Sequence, residues 1–208
     1  MNVINALNWR YSVKSFSEQK LQQWQLRELL EATRLSPSSY GLQPYKVIVI
    51  ESKSVRQRLL PFAYGQEQVI KSSHLLVFAA RTDIGSHLVS DYIQEASKNN
   101  DTSSESLTSF AAMAEKALET MNTKEGLHWA QQQAFIALGN MLTSAAMMKI
   151  DTCPIGGFDA QEFDAILNLT ANNLASTVIC PIGIRDPNDK YSQRRKVRFD
   201  HQHLVMEI

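Results

Sequence analysis

Residues 125–149 read EGLHWAQQQAFIALGNMLTSAAMMK, the longest periodic stretch in the chain. Trp129, Gln133, Ile136, Asn140 and Thr143 or Ser144 recur on one face at helical spacing. The apolar residues are not confined to that face. A helix apolar on several sides is a buried one, so the stretch predicts a helix at the centre of the fold and between subunits. It does not predict a membrane span. The run from Ala134 to Met148 is broken by Gly139, Asn140, Thr143 and Ser144 and ends at Lys149, short of the roughly 18 apolar residues a bilayer needs.

Shorter elements surround this helix. Leu21, Trp24, Leu29, Leu30 and Ala32 keep helical spacing after Ser17-Glu18 and stop before Pro37. Tyr45–Ile50 (YKVIVI) and His74–Ala80 (HLLVFAA) are apolar, β-branched runs that predict buried strands. Ser54–Pro61 predicts a short helix. Residues 85–121 predict polar helix broken around Asn99-Asn100-Asp101, a candidate mobile excursion. Asp159 is placed to cap a helix reaching Asn168. Ser176–Ile184 predicts a third strand, 185–203 a basic loop, and His203–Ile208 a last strand. Few strands scattered among many helices, with no GxGxxG after any of them, predict an α+β fold: a small mixed sheet packed by helices. Neither an internal repeat nor a low-complexity linker divides the chain, so 1–208 is expected to be a single domain.

The chain has 208 residues, and its 21 Lys+Arg balance 21 Asp+Glu. A neutral total argues against a protein built for bulk nucleic-acid or anionic-membrane binding, although a local basic pocket remains compatible with it. Cys153 and Cys180 form neither a CxxC pair nor a zinc pattern, and Cys180 sits in an apolar run as a small buried residue. The start, MNVINALNWRYSVK, lacks the basic and apolar regions of a signal peptide. A cytoplasmic, reduced protein is expected. His74, His87, His128, His201 and His203 are scattered, with no metal site evident; His74, opening a strand, is expected to be a satisfied core histidine. GxSxG, HExxH and P-loop patterns are absent. Polar loops without an obvious acid, base or nucleophile point to an enzyme whose cofactor carries the chemistry.

Four segments hold candidate binding groups. Arg10-Tyr11-Ser12-Val13-Lys14-Ser15-Phe16 alternates cations and hydroxyls, and extended backbone puts Arg10, Ser12 and Lys14 on one side. Ser36-Pro37-Ser38-Ser39, followed by Gln43-Pro44, is a rigid loop rich in donors. Pro154-Ile155-Gly156-Gly157-Phe158 lets backbone approach a flat ligand just before a helix. The tail carries Lys190, Arg194, Arg195, Lys196 and Arg198, five cations in nine residues. Taken singly, the first three also read as ordinary loops and turns, and the tail as a solvated face, a nucleic-acid patch or a phosphate clamp.

Together and in this order, with Tyr64-Gly65-Gln66-Glu67-Gln68, Gln133 and Lys196-Val197-Arg198, they resemble the nitroreductase family of FMN-dependent oxidoreductases. The resemblance spans essentially the whole chain and is weakest over 85–125. It implies an α+β homodimer with FMN at the subunit interface, the long helix lying there. It implies NADH or NADPH as co-substrate and a ping-pong transfer of two electrons to a nitroaromatic, a quinone or another small-molecule acceptor. No nucleic acid, membrane or metal is implied, and the flavin rather than a side chain does the chemistry. Carried over, Arg10, Lys196 and Arg198 grip the FMN phosphate, with Ser12 near that end and Tyr11 in the same motif. Pro37 leads into Ser38 and Ser39, which with Gln133 reach the cofactor from the partner chain. Pro154 and Ile155 lead into Gly156 and Gly157, whose backbone faces the flavin with an N–H at N5. Lys14 and Gln68 match positions at the ring's polar edge and the nicotinamide site, and Gln66 falls near a position where some members carry Asn. The chain departs from some members in having Gly156 in place of an acidic residue, Gly65 in place of Asn and Gln68 in place of Lys. Alternatives within the fold are another acceptor (a pteridine, an enone or a flavin) and a flavin-binding protein without turnover. Phe110, Met113 and Met121 read either as a substrate-channel wall or as plain core.

Overall fold

The computed structural model describes residues 2–99 and 104–208. In chain order the elements are α1 (Val3–Trp9), α2 (Gln23–Arg34), β1 (Tyr45–Ile50), α3 (Lys53–Leu59), α4 (Gln68–Lys71), β2 (His74–Arg81), α5 (Ser86–Asn99), α6 (Ser104–Glu119), α7 (Thr123–Met147), β3 (Asp151–Thr152), α8 (Ala160–Leu167), β4 (Leu174–Gly183) and α9 (His201–Leu204). The excursion expected around Asn99-Asn100-Asp101 lies, from residue 100 onward, outside the described residues. No helix among the described residues is long and apolar enough to cross a membrane.

The strands form one sheet in the order β1-β2-β4-β3, and its ladders are antiparallel. The mixed character expected of it is confined to an isolated parallel bridge between Ser12 and Thr152. Both faces are covered. Leu76, Phe78, Val178, Cys180 and Ile182 pack with Leu29 of α2 and Ala134, Ala137, Leu138 and Met141 of α7. Leu75, Val77 and Ile179 point the other way, against Val13, Phe16, Leu59, Val69, Ile155 and Phe163. Strands covered on two faces read as continuous apolar runs rather than alternating ones, which is why β2 and β4 were legible. β1 is an edge strand, and there the expectation of a buried strand fails: only Ile50 is buried and Val49 is exposed.

The central helix begins at a reciprocal cap. Asn122 accepts from the amides of Lys124 and Glu125 (both 3.0 Å), while the Glu125 carboxylate accepts from Asn122 N (2.9 Å). Its Asn140 amide donates to Ala32 O (2.8 Å) and Ser36 Oγ (2.9 Å), tying the loop after α2 to α7. One stripe of α7 stays uncovered. Phe135, Ile136 and Met147 are about half exposed, and α1, which packs against α7, exposes Val3, Ile4 and Leu7.

Three expectations are corrected. Ser17 does not open α2: its amide pairs with Ile184 O, and the helix starts at Gln23 after the N-cap Gln22, whose backbone N donates to Gln25 Oε1 (2.9 Å) in a capping box. Trp24 lies on the exposed side of that helix. His203–Ile208 is not a strand, because Asp200 accepts from His203 N (3.0 Å) and caps a helical turn. His74, in contrast, is a satisfied core residue, with Nδ1 2.9 Å from Ser73 Oγ, and burial holds its pKa below the usual value.

Gly183 ends β4 where space is tight. A Cβ there would sit 3.0 Å from Ser73 N and 3.0 Å from Phe16 Cδ1. At Gly156 a Cβ would meet nothing within 4 Å. Gly183→Ala is therefore expected to cost about 1–3 kcal/mol through overpacking. Gly156→Ala should stay within about 0.5 kcal/mol, as surface changes do. Urea midpoints at unchanged m-value read both.

Candidate functional site

A cleft of about 340 Å³ forms where the beginning of the chain meets its end. Arg10, Tyr11, Ser12 and Lys14 line one side, and Tyr191, Ser192, Arg194, Arg195, Lys196 and Arg198 the other, with Asn8 and Trp9 at the end of α1. Six of these residues are cations, and the described lining contains no carboxylate.

Local pairing aims these side chains. Val13 N donates to Thr152 O (3.2 Å), Ser17 N to Ile184 O (2.9 Å) and Asp186 N to Ser15 O (2.9 Å). These bonds fix the path of the segment: Val13 and Phe16 are buried and Arg10, Tyr11, Ser12 and Lys14 line the cleft, and the bend at Lys14 breaks strict alternation so that Phe16, of the same parity as Arg10, Ser12 and Lys14, turns into the core. The Lys196 ammonium donates to the carbonyls of Leu7 and Arg10, at the C-terminal end of α1 where helix carbonyls are free. Arg185 lies between the rings of Trp9 (4.1 Å) and Tyr11 (4.6 Å) and is gripped by the buried Asp151, whose carboxylate accepts from its Nε and its backbone N at 2.8 Å each.

The cations repel one another. The Arg10 guanidinium is held below its usual pKa by burial and then by Arg198. Its Nε is buried without a partner. Lys196 is lowered by burial, then by Arg10 and Arg198. Burial pushes the Tyr11 phenol up to about 12, with the Arg185 charge opposing and the Asp189 carboxylate assisting.

A second group adjoins the cleft through Lys14, whose Nζ is 3.6 Å from the buried Cys153 Sγ. Gln68 Nε2 approaches the same sulfur at 4.0 Å. Gln66 donates to the carbonyls of Gly157 (2.9 Å) and Ala63 (3.0 Å), joining the 63–68 segment to the Pro154–Gly157 loop. In that loop Ile155 is pinned to Ile179 by a bridge, while Gly156 and Gly157 are exposed. Asp159 caps α8 as expected, accepting from Gln161 N and Glu162 N.

Ser38, Ser39 and Gln133 form a third group. Ser39 N donates to Gln133 Oε1 (2.8 Å), and Ser38 Oγ accepts from Gln43 N (2.9 Å), with Pro37 exposed just before them. None of these residues lines the cationic cleft. Phe110 and Met121 join a small core with Tyr92 and Trp129, and Met113 is exposed.

Several supports of the site carry no mark in the sequence. Asp151, Cys153, Arg185 and Asp189 each act on a neighbour rather than on the open cleft, and nothing in their flanking residues marks that role.

A profile of the nitroreductase family matches residues 7–184. A Staphylococcus saprophyticus protein provisionally named NAD(P)H nitroreductase is 34% identical over 204 residues, covering 92% of each chain. A Staphylococcus epidermidis structure provisionally described as an NAD(P)H:FMN oxidoreductase has TM-score 0.89 at 18% identity, covering 100% of this chain and 96% of that one. An Exiguobacterium sibiricum structure, described as a nitroreductase in complex with FMN, has TM-score 0.87 at 17% identity, covering 100% and 98%. At such identities the two structures speak to the fold alone.

The two thiols make a direct check on the packing under the site. Both are buried, and burial pushes both pKa values up, which favours the thiol over the reactive thiolate. The native protein at pH 8 is expected to show no thiol reacting with a disulfide reagent within minutes, and two after unfolding in denaturant.

Proposed function

The chain belongs to the nitroreductase family, and from that premise we propose that it is an FMN-dependent NAD(P)H oxidoreductase acting on small acceptors such as nitroaromatics and quinones. The observation that carries this reading is the cleft of six cations and no carboxylate, drawn from both ends of the chain. A phosphate monoester brings about −1.5 to −2 charge near neutral pH. Arg10, with its buried and unpartnered Nε, and Lys196 and Arg198 beside it are the chemistry such a group requires.

The rest of the site fits the remainder of FMN. Ser12 supplies a hydroxyl at the phosphate end. Lys14 and Gln68, converging on Cys153, offer donors for the polar edge of the ring. Gly156 and Gly157 expose backbone with no side chain above it, and the hold of Gln66 on the Gly157 carbonyl fixes that strip so that an N–H can serve N5. When bound, FMN supplies the redox chemistry, taking two electrons from the nicotinamide and giving them to the acceptor. This chain's residues would bind and orient the cofactor, and the exposed Gly156–Gly157 backbone would leave room for nicotinamide and acceptor to bind in turn, as a ping-pong cycle requires. With Gln68 and Gly156 at positions that would adjoin the ring, Lys14 would bring a positive charge to its edge, and the described lining of the cleft holds no carboxylate.

A homodimer is part of the proposal. Ser38, Ser39 and Gln133 lie outside the cationic cleft of their own chain, which suits a contribution to the cofactor on a second copy. The uncovered stripe of Phe135 (50% exposed), Ile136 (46%) and Met147 (47%), with Val3, Ile4 and Leu7 of α1, is the apolar surface such a dimer would bury.

Three measurements test this reading. The purified protein, reconstituted with FMN, is expected to be yellow, to bleach with NADH or NADPH without oxygen, and to recover with a quinone or nitroaromatic. A yellow protein that never bleaches would leave a binding protein without turnover, and failure to take up FMN would remove the reading altogether. Arg198→Ala should weaken FMN binding about tenfold or more, since one charge-assisted hydrogen bond contributes about 1.5–3 kcal/mol and about 1.4 kcal/mol is tenfold. Ile136→Asp should shift the protein to monomer in sedimentation velocity and release FMN; a variant that stays dimeric would put the interface elsewhere.

A further inference from the structure

We propose that Asp189 is the positioning residue of the phosphate clamp, its buried carboxylate clasping the segment that carries Arg10, Ser12 and Lys14 to the turn that leads into Lys196 and Arg198. The inference rests on the flavin reading of the cleft and names the group that holds the cleft's two sides at a fixed separation.

Asp189 is 3% exposed and does not itself line the cleft. Its Oδ2 accepts from Tyr11 Oη (3.1 Å), Lys14 N (3.0 Å) and Ser15 N (3.3 Å). Its Oδ1 accepts from Tyr191 N (3.0 Å) and so opens the 3-10 turn Lys190–Gln193. One oxygen thus holds the N-terminal side and the other the C-terminal side. A carboxylate has acceptor capacity for about four donors and no donor of its own, and four donors meet it here. These hydrogen bonds hold its pKa below the usual carboxylate value although burial pushes the other way.

The side chains that would grip an anion all depend on backbone fixed at this point. Lys14 is anchored by its own amide, and Arg10 and Ser12 flank Tyr11. On the other side, Ser192 N returns to Asp189 O (2.9 Å) and Arg194 N to Tyr191 O (3.1 Å), so the turn is set before Arg194, Arg195, Lys196 and Arg198 leave it. Asparagine has the shape of aspartate but keeps only one of its two acceptor oxygens. In either amide orientation its NH2 faces a donor, either the trio at Oδ2 or Tyr191 N–H. The clasp would therefore open on one side while the core beneath Val13 and Phe16 is unchanged.

The test compares FMN with riboflavin, which has the same ring but no phosphate, by flavin fluorescence quenching on the full-length wild-type protein, Asp189→Asn and Tyr11→Phe. Asp189→Asn is expected to weaken FMN about tenfold while riboflavin affinity changes less than about threefold, a loss of phosphate discrimination. Tyr11→Phe removes one of the four donors, keeps the ring under Arg185, and should lose about two- to threefold for FMN alone. A general structural role would lower both flavins equally, and that result, or no change for either, overturns the proposal. If Asp189→Asn does not fold, Tyr11→Phe decides: an unchanged FMN-to-riboflavin ratio refutes the clasp. Failure of the wild type to bind FMN would instead sink the flavin reading, and the clasp proposal with it, a result distinguished by appearing without any substitution.

Discussion

Three backbone hydrogen bonds, from Val13 N to Thr152 O, from Ser17 N to Ile184 O and from Asp186 N to Ser15 O, join residues 13–17 to β3 and to the residues that follow β4. The cleft depends on this pairing. Each bond contributes only about 0.5–1.5 kcal/mol net, but they do not act alone. Val13 and Phe16 project from the same segment into the core with Leu75, Val77 and Ile179. Burial supplies the free energy and the hydrogen bonds supply the register. With the register set, the path of the segment determines which residues face the cleft: Val13 and Phe16 are buried, while Arg10, Tyr11, Ser12 and Lys14 line it.

That division explains what the sequence revealed and what it withheld. β2, β4 and α7 carry dense apolar runs because helices cover both sides of the sheet, and a run of that kind survives any uncertainty about partners. The first segment was legible only in part: Arg10, Ser12 and Lys14 share the cleft as alternation requires, but Tyr11 joins them and Phe16 turns inward beyond the bend at Lys14. α1 was not legible, since VINALNW has a single buried residue, Ala6, and gains its place by packing on α7. α2 starts later than Ser17 suggests, because Ser17 has a capping residue's chemistry but spends its amide on Ile184. The C-terminal residues 203–208 are apolar enough to read as a strand, yet a strand requires a partner, and Asp200 starts a helical turn instead.

Among site residues the same contrast holds. Arg10, Lys14, Lys196 and Arg198 stood out as charges concentrated in a chain of zero net charge. Their meeting in one cleft could not be read from spacing, because it requires the antiparallel return of β4 beside β2 and β3. The supports were invisible for a further reason. Asp189, Asp151 and Cys153 work through backbone amides, through Arg185 and through Lys14, and an isolated Asp or Cys in a loop carries no mark of such a task.

The placing of the acids also shows how so much like charge is kept together. Six cations in about 340 Å³ oppose one another, and Arg10 and Lys196 are already held below their usual pKa values by burial and by this repulsion. Carboxylates inside the cleft would relieve that repulsion but cancel its charge, since each would pair with one of these cations. The fold sets its acids behind the wall instead. Asp151 binds Arg185, which stacks between Trp9 and Tyr11, and Asp189 binds amides and a phenol rather than the cleft's charged groups. Neutral acceptors do the remaining work, as the carbonyls of Leu7 and Arg10 do for Lys196. The cations are therefore held in position by partners that leave their charge uncancelled, and the positive potential of the cleft stays available to an anion from solution.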